Sequence, residues 1–467
     1  MLKWISAILL ALIVTAGVLE YTTGRSPLEQ VLALAGWARG ADSEIGKTVI
    51  RLGISGWQMD EFPWDATIRR YEAAHPAVRI RASVLPEDTI KSMLLSWARG
   101  QTSFDVILIW ADEEIQSFID YRTRDDEGHS LLINVRRYLS KEQIDSFMPA
   151  LMAGSSRTEP NGQIRTYELP WMGEVLALNY NRQYFAQRGI AAPPKTWEEV
   201  EQVCRKLKGL KHGDKDVSPL ALDFSQSFFF GQNTYIPMLA AFKEGRGIKD
   251  ARGRLDVSSP EAVKVFETLK RWYKAGYITL NAMNNESVEQ ELRALRTAMY
   301  PHWQSRGLMA VKELGPGVIG LAPSPGSEQA GSLVSTYGCI IPKCSPVVRP
   351  AVDFCYETFS TDTYGYQTAE ANGWTFTDSK GNQVRKGGGK MPATKALYER
   401  ADLMPGIAEM VPALKKGYSY ADPLRWSQVA EILVVEFQKY LTGEHDTAQA
   451  ALAKVQQRMD QEVYGGK

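Results

Sequence analysis

A charge excess of either sign is missing: 54 Lys and Arg face 54 Asp and Glu, so the formal net charge is zero. Proteins that wrap nucleic acid usually carry a basic excess that displaces counterions from phosphates, so that class is disfavoured. Cysteine is scarce as well. Cys204, Cys339, Cys344 and Cys355 are the 4 cysteines in 467 residues, too few for a disulfide scaffold and without a CxxC spacing for zinc. An oxidising compartment leaves Cys339–Cys344 or Cys344–Cys355 open as pairings, with buried free thiols as the equal alternative. The histidines (His75, His129, His212, His302, His445) are dispersed, with no HExxH. There is no GxSxG elbow, no GxxxxGK phosphate loop and no GxGxxG that opens a helix after a strand. Neither a cofactor nor a metal is expected. The acidic clusters Asp112-Glu113-Glu114 and Asp125-Asp126-Glu127 would do glycosidase chemistry only if two carboxylates were held at a set separation, which sequence does not fix. The second cluster reads as a solvated loop.

What is present is an ordinary globular mix, 44% apolar and 23% charged, with 12 Trp. The length sets a prior of about three domains, or two large ones. Lys3 is followed by an apolar run from Trp4 to Leu19, broken by Glu20, which fits a secretory segment better than a membrane span. Residues 1–25 therefore read as a signal peptide or signal-anchor and 26–46 as a linker. The expected location is periplasmic or extracytoplasmic, free or anchored to the membrane through the N-terminal segment. No Cys follows the apolar run, which argues against a lipid-anchored cysteine.

From Thr48 the pattern turns regular. Thr48 to Ser55 reads as a buried strand, Pro63 to Ala74 as a helix stopped by His75-Pro76, and Val78 to Val84 as an alternating strand. Asp88 to Arg99 reads as an amphipathic helix closed by Gly100, and Asp105 to Ile109 as an apolar strand of the parallel-sheet type. Strand, helix, strand, helix, strand is the α/β signature. Ligands of such sheets sit beyond the strand ends, where Trp57, Trp110 and Asp112 fall. A second α/β region follows. It has a strand at Val175–Tyr180 and a helix capped by Thr196 with Glu199 completing a capping box. A helix opens at Ser259-Pro260-Glu261 and ends before Gly276, and short strands lie at Thr297–Tyr300, Val318–Leu321 and Gly338–Ile341. Trp426 to Met459 reads as two helices hinged at Gly443. Trp197 and Trp426 lie on amphipathic helices and read as packing, as does most of Phe228-Phe229-Phe230.

The stretch Glu-Leu-Pro-Trp-Met-Gly-Glu-Val-Leu-Ala-Leu-Asn-Tyr-Asn (168–181), with Phe185, Gly189 and Pro193-Pro194-Lys-Thr-Trp-Glu-Glu, resembles the extracellular solute-binding proteins of family 1. These are the sugar-capturing subunits of ABC importers, maltose-binding protein among them. Tyr71 to Ile80, Arg99-Gly100-Gln101, Thr297 to Trp303 and Tyr337 to Lys343 extend the resemblance over most of the chain after Thr48.

The resemblance implies an α/β fold of two lobes, each a mixed sheet flanked by helices, joined by hinge strands. The lobes would be 47–171 plus 327–365, and 172–326 plus 366–467, with crossings near Pro170–Gly173, Ala322–Gly326 and 362–375. It implies no enzyme activity, a carbohydrate in the cleft, a membrane permease as partner, and a monomer. A pyranose offers an apolar face to a Trp and a rim of hydroxyls to carboxylates and amides. The candidate ligand residues are Trp57, Asp60, Trp110, Asp112, Glu113, Glu174, Tyr235, Trp303, Tyr337 and Trp374. Two departures stand out. Thr336-Tyr337-Gly338 replaces a common Gly-Trp-Gly, and Met391-Pro392-Ala-Thr394-Lys395 lacks the Arg that often follows the Pro, which argues against an ion pair or hydrogen bond to the ligand from that loop. A ligand-sensing ectodomain and a glycan-processing enzyme are the competing readings.

Overall fold

The computed structural model describes residues 46–55, 64–85, 89–110, 130–158, 162–224, 227–278, 285–359, 375–377, 383–385, 390–399, 410–419 and 426–465. Chain contacts divide it into two units. Unit one is 1–49 with 75–79, in which the Thr48 amide donates to the Ala77 carbonyl at 2.8 Å. Unit two is 50–74 with 80–467 and holds every element described below apart from the first residues of the strands at Thr48–Ser55 and Val78–Leu85.

The first α/β stretch comprises strand β1 (Thr48–Ser55), helix α1 (Trp64–Ala74), β2 (Val78–Leu85), α2 (Thr89–Ala98) and β3 (Val106–Trp110). Helix α1 buries Trp64, Thr67 and Tyr71, while Ile68 is only half-buried. β1 runs parallel to β3, as a crossover through a helix requires. Arg51 and Asp105 clamp the two strands, with Nη2 2.8 Å from Oδ1 and Nε 2.8 Å from Oδ2. Ser345 donates to the same Oδ1 at 2.8 Å.

Strand β4 (Glu168–Asn181) is buried along its whole length. Sequence pattern places a strand only over 175–180, because Pro170 and Gly173 interrupt it. The structure accommodates both. The register against the later strand β7 (Val334–Ile340) shifts between Tyr337 and Gly338, so that Met172 faces Tyr337, Pro170 faces Gly338, and Trp171 is the extra residue of a bulge. Proline lacks an N–H, and a bulge is where a sheet tolerates that. Gly173 is required by space: a Cβ there would come 2.4 Å from Leu151 Cδ2 and 3.1 Å from the Ser335 carbonyl.

After β4 come α3 (Trp197–Leu207), α4 (Pro260–Lys274), α5 (Asn285–Arg293), β5 (Met299–Trp303), α6 (Gln304–Leu314), β6 (Ile319–Pro323) and β7 (Val334–Ile340). The Thr196 hydroxyl accepts from the Glu199 amide at 3.2 Å, while Glu199 reaches back to the Lys195 amide at 2.6 Å, one residue earlier than a capping box places it. Helix α7 (Val348–Phe359), strand β8 (Met391–Pro392), α8 (Trp426–Thr442) and α9 (Ala448–Arg458) complete the elements used here. Gly443 separates the last two at φ 90°.

The sheet order is β6-β4-β7-β3-β1-β2, with β5 and β8 also on β4. Two sets of neighbours share that strand. Glu168 to Val175 pairs with β7 and, at Met172 and Gly173, with β8. Leu176 to Asn181 pairs with β5 and β6. The exchange falls between Val175 and Leu176, just past the Pro170–Gly173 crossing expected from sequence. The cores are separate too. Leu85, Trp97, Ile107, Tyr167 and Ile340 cluster on one side, while Leu176, Trp197, Trp272, Trp303 and Phe437 belong to a larger cluster.

Candidate functional site

Glu174 lies one residue before the exchange, with its side chain only 2% exposed. Its carboxylate is held from several elements at once. Lys390, just ahead of β8, brings Nζ to 2.9 Å from Oε1. Ser305, in the first turn of α6, donates its hydroxyl to the same oxygen. Tyr337 of β7 donates its hydroxyl to Oε2 at 2.8 Å. The Lys390 ammonium also lies 3.5 Å from the Tyr337 hydroxyl and 4.9 Å from the centre of its ring. The register explains the meeting: Glu174 faces Ser335 on β7, Gly173 faces Met391 on β8, and Leu176 faces Trp303 on β5, directly before α6.

Burial, the largest single influence, raises the Glu174 carboxyl, but the Lys390 charge and hydrogen bond, the Ser305 hydrogen bond and the Arg306 charge together outweigh it, and the net shift is downward. The carboxylate is therefore charged and acceptor-only. Beside it the exchange of strand partners leaves the Val175 N–H aimed between the stretches covered by β8 and β5. Gln304 fills that place, its buried side-chain oxygen accepting from Val175 at 2.6 Å.

The opposite face of β5 carries a second polar group. His302 is fully buried, accepts from the Trp303 amide through Nδ1 at 2.8 Å, and lies between the rings of Phe229 (5.6 Å) and Tyr300 (4.9 Å). Burial holds its imidazole well below the usual histidine range, and the Arg306 and Lys390 charges add to that. Tyr300 donates to Asp223 Oδ2 at 3.0 Å, and Asn233 donates to the same oxygen at 3.4 Å. Burial pushes the Asp223 carboxyl up to about 7, the two hydrogen bonds opposing and the Glu289 charge adding. Arg306 is in turn paired with Glu289 at 3.3 Å.

Of the residues chosen from sequence, the structure brings Glu174 and Tyr337 together. Trp303 is 2% exposed and packs in the large core with Leu176 and Trp426. Tyr235 is fully buried, its hydroxyl donating to the Asp256 carbonyl at 2.9 Å and its ring edge-on to Phe266, so its polar end is already used. Trp110 ends β3 opposite Tyr337 in register, its side chain outside the described residues. Trp57, Asp60, Asp112, Glu113 and Trp374 lie outside them altogether, as does the 362–374 crossing. Sequence reasoning missed Lys390, Ser305 and Gln304. It read the 391–395 loop only for a contact to ligand, whereas Lys390, directly before it, pairs with Glu174. Among the described residues no group of three or more His, Cys, Asp or Glu could hold a metal ion, and no helix is long and apolar enough to cross a membrane.

Comparison with known proteins adds the following. The profile of a family described as "Bacterial extracellular solute-binding protein" matches residues 66–382. A Deinococcus radiodurans protein named "Probable ABC transporter-binding protein" is 22% identical over 214 residues, 43% of this chain and 48% of its own length. A binding protein of Brucella abortus is 22% identical over 189 residues, 38% of this chain and 39% of its own. The chain thus spans less than half the length of the curated relatives it matches. Among solved structures, the cyclic α-maltosyl-1,6-maltose binding protein of Arthrobacter globiformis superposes with a TM-score of 0.70 at 16% identity, over 90% of this chain and 100% of its own. An ABC transporter solute-binding protein of Thermotoga lettingae bound with α-D-tagatose gives 0.67 at 18%, over 89% and 99%. Maltose-bound MalE3 of T. maritima gives 0.64 at 15%, over 88% and 99%. The fold is that of these two-lobed binding proteins: mixed sheets flanked by helices and joined by hinge strands.

Proposed function

The chain belongs to the bacterial extracellular solute-binding proteins, and from that premise we propose that it captures a neutral carbohydrate between its lobes and hands it to the permease of an ABC importer. The Glu174 carboxylate carries this reading. A carboxylate offers about four lone-pair sites. Here Oε1 accepts from Lys390 and Ser305, and Oε2 accepts from Tyr337. Capacity for one further donor remains on Oε2, the kind of acceptor a sugar hydroxyl requires. Lys390 matches the carboxylate's charge, so a charged ligand would arrive without a counter-ion while a neutral one would not. The groups that hold Glu174 come from β7 and β8 on one side of the exchange and α6 on the other. A ligand bonded there would contact both sides, which favours a closed state.

The lobes we assign are 47–171 with 327–365 and 172–326 with 366–467. Residues 390–399 and 410–419 are moved to the first, because the Ala393 carbonyl accepts from the Met148 amide and the Tyr418 carbonyl accepts from the Val334 amide. Trp57, Asp60, Trp110, Asp112, Glu113 and Trp374 remain proposed ligand contacts. The chain acts outside the cytoplasm as a monomeric binder rather than an enzyme, with its N-terminal segment directing export or serving as an anchor.

The test is thermal unfolding across a panel of mono- and oligosaccharides and polyols. A ligand at a hundredfold its Kd adds about 2.7 kcal/mol of stability. If no sugar, polyol or glycoside moves the Tm, the carbohydrate reading fails. If a sugar is consumed during incubation, the protein is an enzyme instead.

A further inference from the structure

Cys339 lies inside β7, opposite Leu108 of β3 and Leu169 of β4, and is fully buried. Cys355 lies on α7, on the face that also buries Ala351, Val352 and Phe354, and it too is fully buried. Helix α7 packs against β4, the strand beside β7. This brings the two thiols into hydrogen-bond contact, with Glu168 of β4 close by. Both pairings left open by sequence spacing used Cys344. That residue is half-buried beside Arg51 and Asp105, and Cys204 is buried in the other core.

We propose that Cys339 and Cys355 form a disulfide when the chain folds in an oxidising compartment, joining β7 to α7. The reaction is thiol–disulfide exchange with a disulfide oxidoreductase of that compartment. One thiolate attacks a sulfur of the oxidoreductase disulfide, forming a mixed disulfide and releasing one of its thiols. The second cysteine, deprotonated, attacks the mixed disulfide and releases the other. Two cysteine thiols become one disulfide, and the oxidoreductase is reduced by two electrons and two protons. In the folded chain both thiols are shut away from solvent, and burial pushes the Cys339 thiol up, which suppresses its reactive thiolate. The exchange therefore precedes the seating of α7, while the thiols are still accessible.

The inference rests on extracytoplasmic location but not on sugar binding, which is measured separately on the oxidised and reduced forms. The full chain is recovered from the periplasm of an expression host, denatured in excess alkylating reagent, weighed intact and digested. The expected result is two alkylated cysteines, Cys204 and Cys344, and a linked peptide pair containing Cys339 and Cys355. C344S retains the link, and C339S has every remaining thiol alkylated. Four alkylated cysteines in the exported wild-type protein, or a link through Cys344, would overturn the proposal. The wild-type thiol count decides even if a variant fails to fold.

Discussion

The Lys390 ammonium sits 2.9 Å from Glu174 Oε1 with both side chains under 10% exposed, so each supplies the charge that makes burial of the other tolerable. Removing one partner of a buried pair typically costs about 3–5 kcal/mol, whereas replacing both by shape-matched neutral groups costs far less. Lys390→Met should therefore destabilise the protein by about that amount in urea titration. Glu174→Gln combined with Lys390→Met should recover most of the loss. Equal stability of Lys390→Met and wild type would mean that the pair is not carrying this burial.

The depressed Glu174 carboxyl gives a signed acid response. In the unfolded chain the group takes up its proton near pH 4.3, and in the folded protein only at lower pH. Its contribution is thus fully present above the unfolded value and disappears as pH falls through the folded one. A stability-against-pH series comparing wild type with Glu174→Gln should converge towards low pH. Parallel curves would contradict the assignment.

Asp223 has the opposite sign. Its carboxyl is raised to about 7 by burial, so between roughly pH 4 and 7 the folded state binds a proton that the unfolded state lacks. Stability attributable to Asp223 falls as pH rises through that window, with a slope of up to about 1.4 kcal/mol per pH unit. Asp223→Asn should flatten this component of the curve. Raising pH should favour the variant relative to wild type.

Trp303 and Glu174 should separate by readout. Trp303→Ala empties a site in the large core and should cost about 3–5 kcal/mol of stability. Tyr337→Phe removes one donor to Glu174 with little change of volume, and should mainly alter sugar affinity, by about 1–3 kcal/mol in titration calorimetry. Reversal of the two patterns would place the ligand against Trp303 rather than Glu174.

Gln304→Leu leaves the Val175 N–H buried without its acceptor, at a cost of about 1–3 kcal/mol. Amide exchange at Val175 should accelerate more than at Leu176, whose N–H still donates to the Leu333 carbonyl at 2.9 Å.

Most of the α/β order was legible because its signals are local: apolar strand runs, Thr196 before an acidic first turn, Pro260 at a helix start, glycines at helix ends. β4 was only half legible. Pro170 and Gly173 are strand breakers by composition, and the bulge at Trp171 that admits the proline exists only against β7. The site divided similarly. Glu174 and Tyr337 stand in motifs that resemble a family, so both were chosen, and they meet in the fold. Lys390 and Ser305 are far from Glu174 in the chain and meet it only through strand register. Every residue of β5 is buried, so alternation could not tell which of its side chains points into the core. Trp303 was chosen instead from the resemblance of Thr297 to Trp303 to a ligand-stacking segment, which carries no such signal for Ser305.

The sharing of β4 also constrains how the molecule can be divided. A cut between Val175 and Leu176 would leave Glu168 to Val175 on one fragment and their partners β7 and β8 on the other, although β5 and β6 would keep theirs. Each fragment would expose a row of unpaired amides and carbonyls, an invitation to self-association. The lobes are therefore poor candidates for expression as separate pieces, and tags or inserted domains belong in connections that leave this strand whole.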